Sequence, residues 1–144
     1  MCIRDRDGAV MARELFLKGF LVKVWCPFPI KKTLTNNHLN YLTSIGVTKL
    51  VEPPDVNEKE LWIDAVFGNN QTRKVDNKLI ELFNQKFHNK YGKVVSIDVP
   101  TGLCPDKGEP FLGNAVKADY TLVIGVNKIG LTQDSALPLS LIHI

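Results

Sequence analysis

Asp98 and Thr101 are the residues whose types and placing first suggest chemistry. They close residues 94–103 (VVSIDVPTGL), where a β-branched apolar run stops at Asp98 and enters a Val-Pro-Thr-Gly turn. A buried parallel strand reads as a short apolar run closed by turn residues. Ligands of an open α/β sheet collect at the carboxyl ends of its strands. A carboxylate there can bind a ligand or move a proton, and a hydroxyl can donate or accept a hydrogen bond. Three further features converge on such ends. Asp64 lies inside the apolar run 61–68 (LWIDAVFG) and leads into the polar loop 68–76 (GNNQTRKVD). Asp7-Gly8 opens the first helix, and Lys128 follows the last apolar run. Each has a plainer reading: Asp7 as a helix cap, Asp98 as the start of a turn, Lys128 as a solvated side chain. Asp64 is either a hydrogen-bonded structural carboxylate or a cation ligand, because a carboxylate inside an apolar run needs a partner. His38 and His88 sit among polar residues and read as surface. Cys104 has no histidine partner in sequence, which argues against a thiol nucleophile.

The elements that must hold these groups follow from periodicity. Residues 7–18 predict a helix with Asp7 as its cap, Ala9, Ala12, Leu15 and Phe16 on one face, and Gly19 as its stop. Residues 21–25 predict a short strand, and Pro27-Phe28-Pro29 breaks the pattern. A helix over 35–46 turns Leu39, Leu42 and Ile45 inward, and 47–51 reads as an edge strand. After a loop with two prolines, 61–68 predicts a strand. A helix over 76–89 follows, with Leu79, Ile80, Leu82, Phe83 and Phe87 clustered. Residues 119–131 give a final strand with a polar exit. Strands alternating with helices predict α/β: a mostly parallel sheet covered on both faces, in one three-layer, Rossmann-like domain. A βαβ unit needs a strand before the first helix, and none is recognised.

The bulk properties narrow the classes. The chain has 144 residues, 44% hydrophobic and 23% charged, with a formal charge of +3. That charge is weak, and no basic stripe interleaved with aromatics argues for nucleic acid. No apolar run would span a bilayer, and no signal-peptide pattern appears. The terminal peptides MCIRDR and LSLIHI can be encoded by reverse-complementary DNA strings resembling a transposon-based sequencing adapter. Residues 1–6 and 139–144 are therefore read as adapter-derived, leaving a partial domain over 7–138 that lacks its first strand. Cys26 and Cys104 offer neither zinc spacing nor a disulfide framework, which predicts a reduced, cytoplasmic setting.

In order along the chain, DGAVMARELFLKGFLVKVW, IDAVFG, VVSIDVPTGL and DYTLVIGVNKIGL resemble the NAD(P)H-hydrate epimerase family, the YjeF N-terminal domain. The resemblance covers nearly all of 7–138. Of the family's Gly-Asn-Asn-Gly-Gly-Asp-Gly loop only Asp7-Gly8 remains, with Arg6 where a glycine is expected. The N-terminal helix before that loop is also missing on this reading. The resemblance implies interconversion of the R and S epimers of hydrated NADH or NADPH. It implies Asp64 and Thr101 as ligands of a potassium ion. It places Asp7, Gly68, Asn69, Asn70, Gln71, Thr72, Arg73, Lys74 and Asp98 against the dinucleotide, with Asp98 as acid/base and Lys128 as a second catalytic group. It further implies a homodimer and a dehydratase, fused or separate. Two other readings compete: a non-catalytic binding or scaffold module, and an ordinary Rossmann dehydrogenase. The latter wants a complete G-x-G-x-x-G and an acidic residue about 20 positions on. Trp25-Cys26 ends the strand where that acid should stand.

Overall fold

In the computed structural model, residues 4, 5, 31, 69, 70, 72–74, 112 and 144, and the side chains of 2 and 141–143, lie outside the description; all others are described. Short apolar runs become the strands β1 (Cys2–Ile3), β2 (Lys23–Trp25), β3 (Thr48–Leu50), β4 (Leu61–Ala65), β5 (Lys93–Ile97), β6 (Ala118–Leu122) and β7 (Ser140–His143). Among the described residues they form one sheet in the order β3-β2-β1-β4-β5-β6-β7, each neighbouring pair parallel. The helices are α1 (Arg6–Leu17), α2 (Thr33–Ser44) and α3 (Asn77–His88).

Alternation along the strands separates the two faces, since successive side chains point to opposite sides. Ile63, Ala65 and Ile97 pack with Met11 and Leu15 of α1. Ile3 and Val24 join Ala9, Ala12, Leu39 and Leu42 on the same side. Trp62, Val66 and Val94 face α3 through Leu79, Ile80 and Phe83. The result is the expected three-layer αβα arrangement. Glycines stop the first two helices. Gly19 at φ +89° and Gly46 at φ +103° adopt the left-handed conformation that favours glycine. Phe20 N–H bonds Leu15 O and Val47 N–H bonds Leu42 O, closing both ends by the Schellman pattern.

Strand order reverses at β1, with β2 and β4 on either side of it. That reversal opens a crevice above the carboxyl ends of the strands beside it. One rung of the sheet runs through this region: Leu50 pairs with Trp25, Trp25 with Cys2, Cys2 with Asp64, and Asp64 with Ser96.

Several expectations need correction. A strand does precede α1: Cys2–Ile3 pair with β2 on one side and β4 on the other, and Ile3 is fully buried. These residues fall in the segment read above as adapter-derived, and two residues are too short a run for periodicity to flag. Ser140–His143 likewise pairs with β6, where no element was expected. α1 begins at Arg6, so Asp7 stands in its first turn rather than at the cap. On α3 the inward position expected of Leu82 is shared with Lys86, which is fully buried while Leu82 is only partly so.

Candidate functional site at the carboxyl edge

Asp64 is the fixed point of the site. It is fully buried at the end of β4 and carries four hydrogen bonds. Ser96 Oγ donates to Oδ2 at 3.1 Å and Thr101 N–H to Oδ2 at 2.8 Å. Thr101 Oγ1 donates to Oδ1 at 2.7 Å and Val66 N–H to Oδ1 at 3.3 Å. Burial pushes the Asp64 carboxyl above the usual carboxylate range, and the Thr101, Val66 and Ser96 donors oppose it. The Asp64–Ser96 contact exists because β4 and β5 pair in that register. The Thr101 hydroxyl also accepts from Phe67 N–H at 3.3 Å, tying the exit of β4 to the turn after β5.

That turn is stapled a second time by Gln71. Its side chain is buried; Nε2 donates to Pro100 O at 3.0 Å and Leu103 O at 3.3 Å, and Oε1 accepts from Gly102 N–H at 2.7 Å. Gly102 sits at φ +95°, and a Cβ there would come within 3.0 Å of Asn114 O. The turn is therefore built from both sides, by Asp64 and by Gln71. The side-chain amide of Gln71 is spent on it, which leaves that residue's backbone for any ligand.

Asp98 lies just before this turn. Its backbone is left-handed at φ 69°, an uncommon state for a residue other than glycine and one that aspartate tolerates better than most. Such strain recurs at functional sites. Asp98 N–H bonds Leu122 O at 2.7 Å, which anchors the residue to β6. Its Oδ1 lies 2.9 Å from Lys128 Nζ and accepts from Ile124 N–H at 3.4 Å. The Lys128 ammonium also donates to Ile124 O at 3.0 Å and Val126 O at 2.8 Å. Lys128 thus wraps the loop after β6 around itself and presents it to Asp98.

A small niche joins these parts. Asp7 and Gly8 of α1, Ala65, Phe67 and Gly68 after β4, and Ile97 and Asp98 after β5 line it. Gly8 is required by close approach, since a Cβ there would lie 2.5 Å from Ala65 Cβ. The N-terminal end of α1 thereby points at the niche, an arrangement that favours anions. Of the residues singled out in the sequence, Asp7, Gly68 and Asp98 meet in the niche, Lys128 pairs with Asp98, and Asp64 and Thr101 brace the turn beneath. Asn69, Asn70, Thr72, Arg73 and Lys74 lie outside the described residues. Ser96 was missed; only the β4–β5 register reveals it.

The donors decide what ion this centre could hold. Among the described residues no cluster of three or more His, Cys, Asp or Glu side chains forms a metal site. Asp64 and Thr101 instead supply a carboxylate and a hydroxyl 2.7 Å apart. Among the described residues no lysine, arginine or histidine forms an ion pair with the buried Asp64. Carboxylate and hydroxyl oxygens are donors of the kind a hard cation takes, and here the two hydroxyls share the Asp64 carboxylate with two backbone N–H groups.

Strand order and parallel pairing define a doubly wound α/β domain, a class whose ligands gather at the strand-order reversal. The family model described as YjeF-related protein N-terminus matches residues 6–130, and the chain belongs to that family. It is 40% identical over 136 residues to a bifunctional NAD(P)H-hydrate repair enzyme of Gloeobacter violaceus, covering 91% of this chain and 26% of that protein. It is 32% identical over 130 residues to an NAD(P)H-hydrate epimerase of Leuconostoc citreum, covering 89% of this chain and 57% of that protein. The chain thus spans about a quarter to just over half the length of these curated relatives. The crystal structure of the yeast protein ynu0, YNL200c, shares the fold, with a TM-score of 0.71 at 23% identity over 86% of this chain and 54% of that one.

Proposed function

We propose that this domain epimerises hydrated NADH or NADPH, interconverting the R and S forms at the hydrated carbon of the nicotinamide ring. One observation carries the reading: a carboxylate, Asp98, held at the mouth of a niche on the carboxyl edge by strained backbone and an ammonium. Relatives named NAD(P)H-hydrate epimerase or repair enzyme match it at 32–40% identity. The hydrated carbon bears a hydroxyl beside the ring nitrogen. It inverts only by becoming trigonal, and each route there moves a proton at an oxygen or at that nitrogen. A fixed carboxylate within hydrogen-bond reach is suited to that transfer.

In this reading Asp98 moves the proton and Lys128 orients it, its ammonium already committed to Asp98 and two carbonyls. Asp7 and the segment Gly68, Asn69, Asn70, Gln71, Thr72, Arg73 and Lys74 contact the dinucleotide, whose phosphates suit the α1 N-terminus. Asp64 and Thr101 would hold a potassium ion, which supplies positive charge to the buried carboxylate. The reading includes a homodimer, a fused or separate dehydratase that consumes one epimer, and a cytoplasmic setting.

Proton NMR of a purified single epimer of the hydrate tests it. The chain is expected to speed conversion to the mixed epimers, and Asp98→Asn to slow it by 100-fold or more, within the range for a lost acid/base. No acceleration over the spontaneous rate, or an Asp98→Asn protein as fast as its parent, would sink the reading. For the ion, potassium chloride should raise the melting temperature above tetramethylammonium chloride of equal ionic strength. Thr101→Val should lose that difference.

A further inference from the structure

We infer that a second cleft, at the carboxyl ends of β2 and β3, takes the adenosine end of the same dinucleotide, with Lys49 facing phosphate. The inference rests on the dinucleotide reading above and extends it to a place no sequence motif marks. The cleft has a volume of about 590 Å³, within the usual range for small-molecule sites. It is lined by Phe28, Ile30, Leu50 and Val51, with Asn36 and Lys49 as its polar side chains. Flat apolar walls suit a purine. Among the described residues Lys49 is the one charged member of the lining, which favours an anionic ligand. The amide nitrogen of Asn36 donates to Ile30 O at 3.2 Å, so its Oδ1 is oriented as an acceptor suited to an exocyclic amine.

Position makes the same case independently. All strands are parallel, so this cleft and the Asp98 niche open on one edge of the sheet. Leu50, Trp25, Cys2 and Asp64 lie on a single rung. Three strand spacings separate Leu50 from Asp64, or about 14 Å, a span that two nucleosides joined by pyrophosphate can cover. One aromatic pair bridges the gap: Phe28 of the cleft and Phe67 of the niche, with ring centroids 6.1 Å apart. Dinucleotides on doubly wound sheets straddle the strand-order reversal, which here is β1, between the two sites.

Calorimetric titration of the chain with adenosine 5′-monophosphate and, separately, with nicotinamide mononucleotide tests the inference without any activity assay. Both are expected to bind. Val51→Asp and Lys49→Glu, substitutions at exposed positions, should each weaken adenosine monophosphate by tenfold or more and leave nicotinamide mononucleotide within twofold. If nicotinamide mononucleotide binds while adenosine monophosphate does not, or binds both variants as well as the parent, the second cleft is not its site. An equal loss of both ligands in the variants also overturns the inference. If neither mononucleotide binds the parent, the dinucleotide reading itself fails, and this inference with it.

Discussion

At the scale of the residue, the site is a carboxylate pair with divided labour. Asp64 is buried and accepts four hydrogen bonds; Asp98 is strained, paired with Lys128 and lines the niche. Thr101 ties Asp64 to the exit of β4, since its hydroxyl both donates to Asp64 and accepts from Phe67 N–H. Thr101→Val keeps the shape and strips both of the hydroxyl's bonds, taking one donor from the buried Asp64 carboxylate. The expected cost is on the order of 1–3 kcal/mol. Thr101→Ser keeps both bonds and should lose only about 1 kcal/mol, for the missing methyl. Urea midpoints of the two variants decide it: equal midpoints would mean the hydroxyl contributes nothing. Much of this was legible in the sequence, because a carboxylate ending an apolar run marks a strand end. What was not legible depends on distant partners. Gln71 looked like any polar loop residue, yet its amide closes a turn 29 to 32 positions away. No local pattern encodes such a contact.

At the scale of the element, α1 positions the niche and α3 anchors the opposite face. Gly8→Ala would drive a methyl into Ala65 and lift the start of α1 from β4. Overpacking of this kind costs about 1–3 kcal/mol, and Ala65→Gly in the same chain should restore most of it. A double variant no more stable than Gly8→Ala alone would place the strain elsewhere. On α3, Lys86 donates to Val56 O at 3.2 Å and to Glu58 O, pinning the loop before β4 beneath Trp62. Burial pushes its ammonium below the usual lysine value of 10.5. Between that lowered folded value and 10.5 the unfolded chain binds more protons than the folded one. Stability therefore rises as pH increases through this window, and the penalty is fully present below the folded value. Lys86→Met should lack the rise. Urea titrations of both proteins from neutral pH toward the lysine range measure it, and parallel curves would refute it. The sequence located α3 and its apolar cluster. It did not foretell a buried lysine, because a lysine on an apolar stripe reads the same whether its head reaches water or a carbonyl.

At the scale of the whole molecule, the candidate site belongs to no single element. The niche draws on α1, β4 and β5, the ion pair on the loop after β6, and the second cleft on β2 and β3. One continuous sheet joins them, and its order was expected only as far as mostly parallel; β1 at its centre is two residues long, too short to carry a periodic pattern. A ligand lying across that sheet must stabilise all of it together. For a ligand that binds only the folded chain, free concentrations a hundredfold above Kd add about 2.7 kcal/mol. In a chain of this size that raises the melting temperature by about 10 °C. The rise should be the same when unfolding is followed by helical circular dichroism, which sees α1, α2 and α3, and by fluorescence. The fluorescence comes from Trp62 in the α3 core and Trp25 on β2. Melting the chain with saturating NADPH hydrate, and again without it, measures both signals in one sample. A shift seen by one signal and not the other would mean that the halves of the sheet unfold separately. The two clefts would then be independent sites rather than the ends of one.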